Sequence, residues 1–152
     1  MLIRRWLFIV GVCSLNATVF AQAGKLPVEK VVRLAEKQYG NYLKEHGNDS
    51  ICYPRSIRPD GSLACVSSSD WTSGFFPGCL WQLYKLTGGS EWKSAAEKYT
   101  AGLEKEKDNT GTHDLGFMLY DSYGEGYALT KDPAYKEVLL QGARSLATRF
   151  HP

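Results

Sequence analysis

An all-α fold, built from stacked helical hairpins, is what this 152-residue sequence predicts. Three observations carry the expectation. Apolar residues recur near 3.6-residue spacing in several segments, the period of a helix with one buried face. Helix punctuation, Gly88-Gly89 and Asp132-Pro133, falls between those segments. An offset of 43 residues sets Tyr84-Lys85-Leu86-Thr87 over Tyr127-Ala128-Leu129-Thr130, Trp92-Lys93 over Tyr135-Lys136, and Leu103 over Leu146. A period of roughly 40 residues is that of helical hairpins stacked side by side.

The N-terminus stands apart from this pattern. Arg4 and Arg5 precede an apolar run from Trp6 to Val12 and a small-residue exit through Ala21 and Ala23. Residues 1–23 therefore read as a secretory signal peptide, cleaved after Ala21 or Ala23, and the product is expected in the periplasm or outside the cell. The run is too short for a membrane span. Cys13 follows Val12, where a lipoprotein site wants a small residue, so lipid anchoring is the minor reading. Residues 1–23 hold two of the 18 basic residues and none of the 16 acidic ones, leaving 16 of each. A formally neutral chain offers no basic patch for nucleic acid.

Each element has its own signal. Leu26 to His46 is an amphipathic helix, with Pro27 in its first turn and Val28, Val31, Val32, Ala35, Tyr39, Tyr42 and Leu43 at helical spacing. Gly47 to Ser69 reads as a long polar connection with a turn at Asp60-Gly61, and no β-rich stretch is expected. Asp70-Trp71-Thr72-Ser73-Gly74-Phe75-Phe76-Pro77-Gly78 leads into a helix through Leu80, Trp81, Leu83 and Leu86, ended by Gly88-Gly89. A second helix starts near Glu91. After the polar run from Glu104 to Asn109, a third spans Asp114 to about Thr130. Asp132 caps a fourth, with Pro133 at its first position.

Three cysteines lie beyond the leader. Cys52 and Cys65 are placed to close a disulfide around the Asp60-Gly61 turn, while Cys79 reads as a small buried hydrophobe. No cysteine or histidine spacing matches a zinc site, so no metal and no cofactor are expected.

Gly111-Thr112-His113-Asp114-Leu115-Gly116-Phe117 is the most site-like group in the chain. It sets a carboxylate beside an imidazole at a helix entry. Asp114 is the candidate for chemistry, with His113 beside it as a candidate substrate-binding residue; the alternative for Asp114 is a plain N-cap. Shifted by 43, Asp114 falls on Trp71 and His113 on Asp70, so both unusual motifs enter the first helix of successive hairpins. Parallel stacking would open them at one end. Trp71 and Phe75 are the candidate sugar-binding aromatics, for which packing stays the open alternative. Phe76, Trp81 and Trp92 read as packing. Gly116, Gly124 and Gly126 are costly in one helix and are expected where helices approach closely.

In order and separation, the stretches from Asp70 to Gly78 and from His113 to Phe117 resemble the unsaturated glucuronyl hydrolases of glycoside hydrolase family 88. Tyr127-Ala128-Leu129-Thr130 and Ser145-Leu146-Ala147-Thr148-Arg149-Phe150 are similar too. The resemblance covers roughly residues 26 to 152 and implies part of an (α/α)6 toroid, with residues 24–152 as the N-terminal part of a catalytic domain. It implies an enzyme that hydrates the C4=C5 bond of an unsaturated uronic acid at the non-reducing end of lyase products, with glycosaminoglycan-type oligosaccharides as partners. Asp114 matches one of that family's two active-site aspartates, and Trp71 and Phe75 its sugar-contacting aromatics. The second aspartate lies well downstream of the His-Asp motif. Six hairpins need roughly 250 residues, so this sequence is expected to be a fragment, with an uncovered apolar side on its last hairpin and no activity alone. Alternatives are an unsaturated rhamnogalacturonyl hydrolase and, in another class, a helical-repeat scaffold.

Overall fold

The computed structural model describes residues 27–47 and 50–150. The expected signal peptide lies outside the described residues. The chain divides into Met1–Val31, of which only the start of the first helix is described, and Val32–Pro152, which holds the rest. The elements are α1 (Val28–His46), β1 (Tyr53–Ile57), β2 (Leu63–Val66), α2 (Phe75–Thr87), α3 (Ser90–Ala101), a 3-10 turn (Glu104–Asp108), α4 (Leu115–Leu119), a π-turn (Tyr120–Gly124), α5 (Glu125–Thr130) and α6 (Pro133–Ala147). No described helix is long and apolar enough to cross a membrane.

The repeat expected from sequence is present atom by atom at the hairpin turns. The Thr87 hydroxyl donates to Leu83 O, and that of Thr130 to Gly126 O, both at 2.8 Å. Each threonine then accepts from the amide two residues on, Gly89 or Asp132, at 3.2 Å. Between them Gly88 and Lys131 both take the left-handed conformation that ends a helix (φ 74° and 59°). Lys131 reaches it without glycine's freedom, because the two flanking bonds hold the turn. Asp132 caps α6 as expected, accepting from Ala134 N at 2.9 Å.

The core lies between the two hairpins. Leu80, Trp81, Ala96, Leu103, Leu115 and Met118 are buried, and Trp81 Nε1 donates to Thr100 Oγ1 at 3.0 Å. From α1, Tyr39 and Tyr42 pack on Phe76 at ring distances of 5.5 and 4.8 Å. Phe76, Trp81 and Trp92 are packing residues, as read from the sequence. On its open side the second hairpin carries an apolar groove of about 340 Å³ that includes Leu115, Gly116, Leu119, Leu139 and Leu146.

Four expectations are corrected. The connection after α1 is not structureless: β1 and β2 form an antiparallel hairpin, with Tyr53 opposite Val66 and Ile57 opposite Leu63. Both strands are edges, which is why Pro54 is tolerated in one of them. The Cys52–Cys65 disulfide closes the hairpin at its base (Cα–Cα 5.5 Å), and Tyr53 donates to Tyr99 O at 2.9 Å to dock it. Cys79 is exposed rather than buried, because it lines an open cleft with Tyr39 and Phe75. Gly116 meets nothing within 4 Å of a built Cβ, whereas one at Gly126 would strike Tyr135 and Trp81. The helix after Asp114 is not regular, since the π-turn interrupts it.

Candidate functional site

Two loops and two helix starts build the site. The first loop, ahead of α2, is held from below by a buried polar chain: Ser73 Oγ donates to Ser68 O at 2.8 Å, and Ser68 Oγ to Glu106 Oε1 at 2.5 Å. Asn109 Nδ2 reaches the other Glu106 oxygen at 2.9 Å. Burying that glutamate is tolerable because both oxygens are bonded. Asp70 folds the loop locally, accepting from the amide and hydroxyl of Thr72 at 2.9 and 2.6 Å, and it pairs with Arg55 of β1 at 2.8 Å. Burial works against the Asp70 charge, but the Thr72 bonds and the arginine outweigh it and hold the carboxyl below its ordinary range. This leaves Trp71 projecting at the loop tip.

The second loop, ahead of α4, is pinned by α6 and the residues just after it. Ser145 Oγ donates to Lys107 O at 2.6 Å, Gln141 Nε2 to Asp108 Oδ1 at 2.8 Å, and Arg149 to Thr110 O at 2.9 Å. Thr112 Oγ1 accepts from Asp114 N at 3.0 Å. Asp114 occupies the N-cap position, yet its side chain accepts no capping bond (φ −89°, ψ 12°). Its Oδ1 lies 3.4 Å from His113 Nε2 instead. The cap alternative therefore fails on geometry, and the carboxylate is left for other use. His113 is exposed.

The two helix starts meet because α2 has no side chains where they touch. A Cβ on Gly74 would lie 2.0 Å from Phe117 O, and one on Gly78 2.6 Å from Asp121 O. That close approach gathers three rings: Trp71 and Phe75 centroids are 5.8 Å apart, Trp71 and Phe117 5.9 Å, and Phe75 and Phe117 5.8 Å. All three are partly exposed, so their apolar faces are open to a ligand. Phe117 also lines a cleft of about 390 Å³ with His113, Asp114, Tyr120 and Asp121. A larger cleft of about 410 Å³ runs past Phe75 to Tyr39, Tyr42 and Arg55, but its lining includes no carboxylate.

The structure thus brings together Trp71 and Phe75, joins them to Asp114 and His113 through Phe117, and adds Asp121, which sequence reasoning missed. Burial first, and the neighbouring Glu125 second, push the Asp121 carboxyl up. Glu125 is itself engaged by Gln82 Nε2 at 2.6 Å. A signal for Phe117 was present: Gly116-Phe117 repeats Gly74-Phe75, at an offset of 42 rather than 43. At that offset His113 corresponds to Trp71 and Asp114 to Thr72, which corrects the equivalence expected above. Among the described residues no cluster of three His, Cys, Asp or Glu could hold a metal ion.

The architecture is a segment of an (α/α)6 toroid, with an aromatic platform beside the Asp114 carboxylate at the hairpin entries. Its likenesses are to unsaturated glucuronyl hydrolases. No family model matches the chain. It is 48% identical over 89 residues to the unsaturated glucuronyl hydrolase of Formosa agariphila, covering 57% of this chain and 22% of that protein. The crystal structure of an unsaturated glucuronyl hydrolase specific for heparin matches with a TM-score of 0.69 and 38% identity, covering 78% of this chain and 33% of that one. An unsaturated glucuronyl hydrolase mutant from Streptococcus agalactiae, complexed with dGlcA-GalNAc6S, matches with a TM-score of 0.71 and 26% identity, covering 81% and 33%. The resemblance read from the sequence is borne out, and this chain spans about a fifth to a third of the length of these relatives.

Proposed function

We propose that this chain is the N-terminal part of a glycoside hydrolase of family 88 that hydrates the C4=C5 bond of an unsaturated uronic acid at the non-reducing end of lyase-generated oligosaccharides. One observation carries the reading: Asp114, at a helix start where it accepts no capping bond, shares a cleft with Phe117, which completes the Trp71–Phe75 platform. Sugar rings have apolar C–H faces that suit aromatic platforms, while the chemistry needs a carboxyl at the reacting end. A proton and a hydroxide add across the double bond, and the resulting hemiketal collapses to release the rest of the sugar. Proton delivery to carbon requires a positioned acid, and charge developing on the ring is stabilised by a nearby carboxylate. Asp114 supplies one of these two groups. The resemblance implies a second aspartate downstream of it, so activity belongs to the full-length protein. With residues 1–23 read as a signal peptide, that enzyme works in the periplasm or outside the cell.

The test is turnover by the full-length protein of an unsaturated chondroitin or hyaluronan disaccharide, followed as loss of C=C absorbance, with and without D114N. Loss of turnover in a folded D114N protein supports the reading. Turnover only of an unsaturated rhamnogalacturonan disaccharide would move the substrate class, and no turnover of either by the wild type would sink it.

A further inference from the structure

Two contacts join the facing sides of α2 and the α4–α5 helix. Phe75 meets Phe117 at 5.8 Å, and Gln82 bonds Glu125 at 2.6 Å. Seven residues lead from Phe75 to Gln82, but eight lead from Phe117 to Glu125. Each residue of a regular helix advances about 100°, so two regular helices side by side would fall out of phase between these contacts. The π-turn Tyr120–Gly124 absorbs the extra residue, because its turn is one residue wider. Burial shifts in the same place. Upstream of it, buried Ser73 and Phe76 match buried Leu115 and Met118 at an offset of 42; downstream, Leu80 and Leu83 match Tyr123 and Gly126 at 43. A widened turn leaves carbonyls without their usual helical partners. Ser122, fully buried, donates its hydroxyl to Met118 O at 2.6 Å and reaches Leu119 O at 3.3 Å.

We infer that this one-residue insertion is what turns Asp114, His113 and Phe117 into the cleft, and that Ser122 is the positioning residue that holds the widened turn. Without the insertion the helix upstream rotates about 100° relative to α5. The Phe117 and Glu125 contacts then cannot both persist. The sequence of the first hairpin, which lacks the extra residue, shows the phase that the second would take: its Gly74-Phe75 enters a regular α2. The catalytic consequence rests on the reading of Asp114 given under Proposed function, whereas the geometric consequence does not.

Two variants of the full-length protein test this, each read by an NOE between the Trp71 and Phe117 rings, by amide exchange over residues 118–126, and by turnover of an unsaturated chondroitin disaccharide. Deletion of Ser122 is expected to keep the helical circular dichroism, abolish the ring NOE and lower kcat by about 100-fold, the scale of a misplaced reacting group. S122A is expected to keep the NOE but speed exchange over 118–126 by about 5- to 10-fold, the value of one lost hydrogen bond. A deletion variant that retains the NOE, or loses it with kcat unchanged, overturns the inference. If the deletion variant does not fold, S122A decides, and unchanged exchange overturns it. Should the wild type turn nothing over while the NOE and exchange respond as expected, the functional reading fails and the positioning role stands.

Discussion

Gln82 donates to Glu125 at 2.6 Å, and the two residues stand one repeat period, 43 positions, apart. Equivalent residues meet at the same level only if the helices that carry them run parallel. Phe75 meets Phe117 near the start of the same two helices, and two contacts in the same order along both helices require that they run parallel, with their entry loops at one end. Trp71 reaches Phe117 at 5.9 Å for the same reason.

Replacing Asp114 separates a catalytic carboxylate from a cap. On the proposed function, D114N in the full-length protein should cut kcat by roughly 10²- to 10⁴-fold, the range for a general acid or base. Because its side chain accepts no capping bond, the urea midpoint should stay put. A loss of about 1 kcal/mol of stability with turnover retained would mark a cap instead.

The glycine contacts predict opposite outcomes for one substitution at two sites. In this chain G74A should cost about 3 kcal/mol or prevent folding, since its Cβ would sit 2.0 Å from Phe117 O. G116A meets nothing within 4 Å, and should be neutral or add about 0.5–1 kcal/mol through helix propensity. Urea melts of both variants decide; equal destabilisation would contradict the close approach at Gly74.

Joining residues 13 apart, the Cys52–Cys65 bond should contribute about 2–3 kcal/mol by restricting the unfolded chain. Paired serine substitution, or reduction, should lower the thermal midpoint. Alkylation of the unfolded chain by mass spectrometry should show those two cysteines blocked before reduction and reactive after it.

Two carboxylates should shape the acid limb with opposite signs. The Asp70 carboxyl lies below its ordinary 3.8 when folded, so its stabilisation is present above that value and fades as pH falls through the folded pKa. D70N should lower stability at neutral pH and flatten the loss below about pH 4, by under ~1 kcal/mol for a partly exposed pair. Asp121 lies above its ordinary value. Its favourable contribution is present below 3.8 and lost as pH rises through the folded pKa, so D121N should be neutral or stabilising at pH 7. Urea midpoints from pH 3 to 7 check both signs.

Much of this was legible in the residues. Gly88-Gly89 and Asp132-Pro133 mark helix ends by local chemistry, and the 43-residue period reports the same turn twice because the same hydroxyls and left-handed residues close it. Asp114 and Trp71 draw attention in the sequence because polar and aromatic residues at helix entries stand out from packing. The β-hairpin was missed because its stabilisation is not local: two short edge strands are held by a disulfide and by Tyr53 reaching Tyr99. Phe117 was read as part of a motif rather than as a platform residue.

What the sequence determined alone is the set of helices, their punctuation and the repeat, since each depends on interactions within a few residues. Only the tertiary structure decided which faces meet. Phase along a helix is cumulative, so the one extra residue in the π-turn changes the partner of everything upstream while hardly altering the pattern itself. The place of Asp114 in its cleft rests on that phase and on Gly74 and Gly78, 40 and 36 residues before it, which let the backbones touch.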